Sequence, residues 1–241
     1  MKEGIKVSAD QAAKIEEQTQ QQSKSKKNKW QSERESRLTA SNFGAIMTLT
    51  DRRDIENFCK SMHTQQNLSH IPAIKHGQIY EAAALEKFAE VTGKRVLKSG
   101  FCIDPQYPFL GASPDAFVEG EDAVIEIKCP YNGRNSQISA DTLKHFSFLE
   151  EVDNTLRLKR NNKYFYQIVG QMKLSKRSYG YFVVYTFKDL HYEKITLDED
   201  FFMNTMLPKL REFYDNEYCP YITSLLKKFD TKCECPKEGK P

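Results

Sequence analysis

Residues 110–129, LGASPDAFVEGEDAVIEIKC, constrain the fold most, because two apolar-rich strand segments flank the turn signal Glu119-Gly120-Glu121-Asp122. A hairpin centred between Gly120 and Glu121 pairs Val118 with Ala123 and therefore Asp115 with Glu126. Side chains alternate along a strand, so Val124, Glu126 and Lys128 share one face while Ile125 and Ile127 share the other. The isoleucines face a core layer. That arrangement sets two carboxylates, with Cβ atoms about 5 Å apart, beside an ammonium in a partly buried place.

Carboxylates that close repel each other unless a cation lies between them. Mg²⁺, with Mn²⁺ as a substitute, meets the need: it prefers oxygen ligands and keeps waters, which suits Asp115, Glu126 and a backbone carbonyl, that of Ile127, better than a His and Cys cage. Lys128, on the face of Glu126, can orient or help deprotonate an attacking water and can neutralise phosphate charge. The competing reading is a surface hairpin whose Asp, Glu and Lys are solvated or weakly paired, and for any one residue it is the simpler account. The joint spacing, an acid after Ser-Pro followed by apolar-Glu-apolar-Lys-Cys-Pro, shifts the balance toward a site.

The rest of the chain predicts an α/β fold with a central mixed β-sheet flanked by helices. Helices are expected at 39–47, capped by Thr39 or Ser41, at 51–64, and from Gly77 to a stop at Gly93. Strand character covers 95–103, 110–118 and 123–129; residues 134–160 form a helix or long excursion; 162–175 reads as a helix, 179–187 as a core strand, and 191–197 as its hairpin partner. A long helix from Asp198 to Leu226 closes the domain.

Glu81 lies four residues before Leu85 and seven before Phe88, on the apolar stripe of its helix, whereas Glu86 and Glu90 fall on the solvent side. An inward glutamate needs a partner, and a metal site supplies one; the alternative is an acid that favours the helix N-terminus. Gln167 and Gln171 share one helical face and can orient a lysine, a water or a DNA strand, or be ordinary surface amides. Arg34 and Arg37 precede the helix at Leu38-Thr39-Ala40-Ser41, where a guanidinium beside a helix N-terminus makes a phosphate site.

Charge and composition narrow the partners. The 241 residues carry a net charge of +3, too small to announce a polyanion surface, so nucleic-acid contacts must come from local patches. No apolar run spans a membrane and the first residues lack the apolar core of a signal peptide, so the chain reads as intracellular, nuclear in a eukaryote and otherwise cytoplasmic, with no membrane partner. Residues 1–29 are expected to be a mobile polar and basic arm with nothing to anchor it to a core, and its run Lys24, Lys26, Lys27 and Lys29 a solvated linker rather than a phosphate contact or nuclear address. Residues 229–241 form a loose tail. Six irregularly spaced cysteines read as reduced thiols, and Cys219, Cys233 and Cys235 match no defensible zinc or iron-sulfur pattern.

In order and spacing, Trp30, Arg34 and 39–41, HGQIYEAAAL at 76–85, LGASPDAF at 110–117, IEIKCP at 125–130 and YFYQIVGQM at 164–172 resemble the motifs of the PD-(D/E)XK nucleases, within them the lambda-exonuclease-like, YqaJ viral recombinase family. The resemblance covers roughly 30–190 and implies a restriction-endonuclease-like core over residues 30–228. It implies a Mg²⁺-dependent exonuclease that digests one strand of duplex DNA from its 5′ end in recombination or repair, with Asp115 and Glu126 as metal ligands and Lys128 as catalytic lysine. By the same resemblance, Glu81 matches the acidic residue on the active-site helix, Gln167 the supporting glutamine, and Arg34 with Ser41 the residues that hold a terminal 5′-phosphate; Gln171 joins them as a DNA contact. Double-stranded DNA ends are the partner implied, and the family admits a ring-shaped homotrimer and a single-strand annealing protein. Ala116 stands where glycine often follows the SPD aspartate, and Val169 where a glutamine often stands. Two rivals stay open: an endonuclease on this fold, and a catalytically silent DNA-binding recombination partner.

Overall fold

The alternation around Gly120 produces the antiparallel hairpin that it predicts, and the rest of the central sheet is built outward from it. The computed structural model describes residues 5–20, 28–64 and 70–230. In chain order these form α1 (Ala9–Thr19), α2 (Lys29–Glu35), β1 (Leu38–Thr39), α3 (Ala40–Met47), α4 (Ile55–His63), α5 (Pro72–Thr92), β2 (Val96–Leu97), β3 (Leu110–Gly111), β4 (Ala116–Val118) and β5 (Ala123–Lys128). There follow β6 (Leu149–Val152), β7 (Thr155–Leu158), α6 (Lys163–Leu174), β8 (Tyr179–Tyr185) and β9 (Leu190–Thr196). A continuous helical run of α7 (Glu199–Phe201), α8 (Leu207–Phe213) and α9 (Cys219–Asp230), joined by π turns, closes the fold.

The central sheet has the order β2-β4-β5-β8-β9, with β5 and β8 parallel and the other pairs antiparallel. In the hairpin, Ala116 pairs with Ile125 and Phe117 with Val124; Asp115 lies just before β4 and steps off that register, its N–H donating to Ile125 O at 3.0 Å, so the expected pairing of Asp115 with Glu126 is not part of the ladder. Gly120 holds φ at +73° in the turn, a conformation with little penalty only for glycine. Both faces of β5 are covered. Ile125 and Ile127 pack with Ala84 and Phe88 of α5 on one side, while Val124 packs with Ile168 of α6 and Phe43 of α3 on the other. Phe43, Phe88 and Phe182 are fully buried, each stabilising the fold by roughly 1.5–3 kcal/mol.

Several expected elements end or begin elsewhere. The strand expected over 110–118 breaks at Ser113-Pro114: β3 leaves the sheet and pairs in parallel with β1, Leu38 with Leu110 and Thr39 with Gly111, because a proline has no N–H for a ladder. That small pairing leads directly into α3, which packs against α6. Helix α4 starts at Ile55, capped by Asp54, and α5 starts at Pro72, whose missing N–H is harmless in a first turn. The excursion 134–160 contains a 3₁₀ turn, Ala140–His145, and the β6–β7 hairpin, with positive φ at Asp153 and Asn154.

The arm expected to be mobile contains α1, and α1 is anchored. Ser8 caps it with a reciprocal bond from Gln11, its buried Ala12 and Ile15 pack on Phe101 and Ile103, and Thr19 Oγ1 accepts the Phe101 N–H at 2.7 Å. Two apolar side chains suffice because backbone hydrogen bonds do the rest. Lys24, Lys26, Lys27, Cys233 and Cys235 lie outside the described residues; α9 extends one residue beyond the expected start of the tail. Among the described residues no helix is long and apolar enough to cross a membrane.

Candidate active site and a neighbouring cleft

Glu126 is the centre of the site. Strand alternation turns it toward α6, where it is 2% exposed, and every donor it needs comes from that helix or from its own strand. Gln167 Nε2 donates to Oε1 at 2.7 Å and Gln171 Nε2 to Oε2 at 2.5 Å, while Lys128 Nζ donates to Oε1 and also, at 3.3 Å, to Gln167 Oε1. The face of Tyr164 lies 4.4 Å from the Lys128 ammonium. Burial alone would lower the Lys128 pKa, yet attraction to Glu126 and Asp115 outweighs it and holds the group above its ordinary value. Lys128 is therefore an ammonium here, a donor rather than an acceptor.

Asp115 stands at the start of β4, with Oδ2 accepting the Ile127 N–H at 2.7 Å. The Ile127 carbonyl lies on the same edge of β5 as that N–H, so it faces the gap beside Asp115. Glu81 approaches from α5 on the opposite face of the sheet. Burial first, then repulsion from Glu126 and Glu81, push the Asp115 carboxyl well above the usual range, and Lys128 and the Ile127 N–H offset this only in part. Glu81, Asp115, Glu126 and Lys128, named from spacing, are thus brought together.

The donor set fits a hard divalent cation. Asp115, Glu126 and the Ile127 carbonyl offer only oxygen, and the repulsion raising Asp115 is what a cation relieves. Among the described residues no three His, Cys, Asp or Glu side chains group closely enough to cage an ion alone, so backbone oxygen and water would complete such a shell. Without a metal the Cys129 thiol is held neutral: burial, then Glu81 and Asp115, push it up to about 12. Cys219 is half-buried in α9 and unbridged.

A second cleft of about 320 Å³ is lined by Trp30, Arg34, Ser41, Asn42 and His63 among others. Arg34 lies over the Trp30 ring at 4.3 Å, with Nη2 at 3.5 Å from Ser41 Oγ, and burial pushes its guanidinium down to about 10. Among the described residues no carboxylate forms a salt bridge with it, the state in which an arginine favours an anionic ligand. Arg37 is different: 5% exposed, it is bound by Glu33 and the Pro108 carbonyl and serves the fold.

Gln171, expected at DNA, is 1% exposed and gives Nε2 to Glu126 and to the Ser113 carbonyl at 3.2 Å, so its amide supports the carboxylate. Sequence reasoning missed Tyr164 and Ser113. Tyr164 has the i, i+3 spacing to Gln167 that puts both on one helical face, and Ser113 adjoins the Pro114-Asp115 pair; its Oγ accepts the Trp30 indole N–H at 3.0 Å.

The family model of the YqaJ-like viral recombinase domain matches residues 29–178. No curated protein sequence matches the chain. Among solved structures, an alkaline exonuclease (LHK-Exo) from Laribacter hongkongensis is similar with a TM-score of 0.62 at 22% identity, covering 84% of this chain and 97% of that one. A SOX–DNA complex gives 0.57 at 13% identity over 90% and 74% of the two chains, and a phage-related exonuclease from Haemophilus somnus 129PT gives 0.52 at 13% over 80% and 96%. At these identities the likeness establishes the fold, a restriction-endonuclease-like core.

Proposed function

Because the chain belongs to the YqaJ-like viral recombinase domain family, we propose that it is a metal-dependent exonuclease that degrades one strand of duplex DNA from its 5′ end during recombination or repair. The observation that carries this reading is the convergence of Lys128, Gln167 and Gln171 on Glu126, with Asp115 close enough at the start of β4 to feel its charge and bound to the Ile127 N–H. Neighbours of the same fold bear exonuclease names, and one was solved with DNA, which supports the substrate class.

Asp115, Glu126 and the Ile127 carbonyl would hold Mg²⁺, or Mn²⁺ in its place, and the ion when bound supplies Lewis acidity and an acidified water. Glu126 is kept in one rotamer by its three donors. Lys128, an ammonium within reach of the same carboxylate, orients the water and neutralises charge on the scissile phosphate. Gln167 fixes Lys128 and Glu126 with the two ends of one amide. Glu81 contributes negative charge beside Asp115 from α5. Arg34 and Ser41 receive the terminal 5′-phosphate, and the cleft around them selects strand ends. A homotrimer around DNA and a single-strand annealing partner belong to this proposal as family expectations.

The test is digestion of linear duplex DNA with a 5′-phosphate at one end, in Mg²⁺ or chelator, beside a closed circle and the Lys128→Ala variant. Metal-dependent loss of the phosphorylated strand from its 5′ end, absent with Lys128→Ala and on the circle, is the expected result. Cutting of the circle would replace the exonuclease with an endonuclease; DNA binding without cleavage would indicate a silent partner.

A further inference from the structure

Gln171 is buried between the Glu126 carboxylate and Ser113. Its Nε2 donates to Glu126 Oε2 at 2.5 Å and to the Ser113 carbonyl at 3.2 Å, two acceptors that leave the amide only one orientation. Ser113 in turn takes the Trp30 indole N–H on Oγ at 3.0 Å, and Trp30 carries the Arg34 guanidinium on its ring at 4.3 Å. Every link from the uncompensated arginine to the buried carboxylate is thus a direct contact. Gln171 is 1% exposed and, among the described residues, its Oε1 has no donor, so the two bonds from Nε2 set the amide.

Resting on the reading of the Arg34 cleft as the strand-end site, we infer that Gln171 is a positioning residue that couples occupation of that cleft to the orientation of Glu126. A phosphate that draws on Arg34 changes its stacking on Trp30, the Trp30 indole bears on Ser113, and the Ser113 carbonyl shares its donor with Glu126 Oε2. A shift at one acceptor of a shared N–H group alters the bond to the other. The coupling makes cleavage faster at an end whose phosphate is bound, so end choice is expressed in kcat rather than in affinity alone.

The experiment compares duplexes bearing 5′-phosphate or 5′-hydroxyl ends with the full chain in Mg²⁺, for the parent, Gln171→Met, Arg34→Ala and the double variant, with Tm recorded for each. The parent is expected to prefer the phosphate. Gln171→Met is expected to lower kcat at nearly constant KM and to shrink that preference about tenfold, a typical coupling factor; adding Arg34→Ala then costs far less than it does in the parent. If Gln171→Met does not fold, Gln171→Asn, which keeps an amide one methylene short, gives the same ratio. Equal loss on both ends, with the parental preference kept and the two substitutions multiplying independently, overturns the coupling and leaves the end-binding cleft standing. A parent indifferent to the phosphate overturns the cleft reading itself, and the coupling with it.

Discussion

Gln167 holds Glu126 with its amide N–H, at 2.7 Å, and Lys128 with its amide oxygen, at 3.3 Å. One side chain therefore fixes the distance between carboxylate and ammonium, which a methionine of similar shape cannot do. Gln167→Met is expected to reduce kcat about 10–100-fold, the usual effect of losing a group that orients a metal ligand. Gln167→Glu should do more harm, since it sets a further carboxylate against Glu126 and captures Lys128. Steady-state rates over a Mg²⁺ titration distinguish the two: the glutamate variant needs a different Mg²⁺ concentration for half-activity, and equal, parent-like rates in both would remove Gln167 from the site.

Asp115 gives the site a cost that the metal-free protein bears. Its carboxyl lies above the ordinary 3.8, through burial and then through Glu126 and Glu81, so the folded chain binds more protons than the unfolded one between those values. Stability in chelator accordingly declines as pH rises from about 3.8 through the raised value. Asp115→Asn is expected to raise Tm in chelator at neutral pH, by about 2–4 °C for each kcal/mol relieved, while abolishing cleavage and the gain in Tm on adding Mg²⁺. Thermal melts of both proteins in chelator and in Mg²⁺ test this; a less stable asparagine variant in chelator contradicts it.

The parts of this site legible in the sequence are those written in a local period. Strand alternation plus the Gly120 turn placed Asp115, Glu126 and Lys128 together, and helical spacing put Glu81 on the sheet-facing stripe of α5. The same period put Gln167 and Gln171 on one face, yet only the packing of α6 against β5 decides that this face meets a buried carboxylate. Likewise β3 left the sheet through a long-range pairing with β1, 72 positions away by the register of Leu38 with Leu110, which no local pattern encodes. The anchoring of α1 was hidden for a related reason: its partners are backbone N–H groups, and these have no sequence signature.

Two histidines contribute to the loss of stability on the acid side. His76, 6% exposed, is ringed by Tyr80, Tyr131 and Phe187 at centroid distances of 4.6, 5.7 and 5.5 Å, and burial, then Arg134, lower its pKa from 6.5. In His191 burial outweighs Glu193 and Asp189 and lowers the value likewise. Folded values below the unfolded one mean that the unfolded chain binds more protons, so this stability is complete above 6.5 and lost as pH falls through the folded values. His76→Phe and His191→Gln together are expected to flatten the decline of Tm on the acid side. Melts at descending pH in the parent and the double variant show it, and parallel slopes would refute the assignment.

Gly100 decides whether α1 stays attached. Its N–H reaches Glu16 Oε1 at 2.7 Å, and a Cβ at this position would lie 1.9 Å from the Glu16 carbonyl oxygen, a backbone atom that cannot swing aside. Gly100→Ala therefore pushes α1 off Phe101 and Ile103 while leaving the hairpin and α6 untouched. The expected loss of stability is about 1–3 kcal/mol, in the range of a local packing defect. Trp30 packs on the same cluster and is the one tryptophan of the chain, so its emission should shift to the red, and a protease should cut ahead of it sooner than in the parent. Unchanged emission and an unchanged cleavage pattern would show that α1 tolerates the methyl group, and that its contacts with Glu16 and Thr19 do not hold it in place.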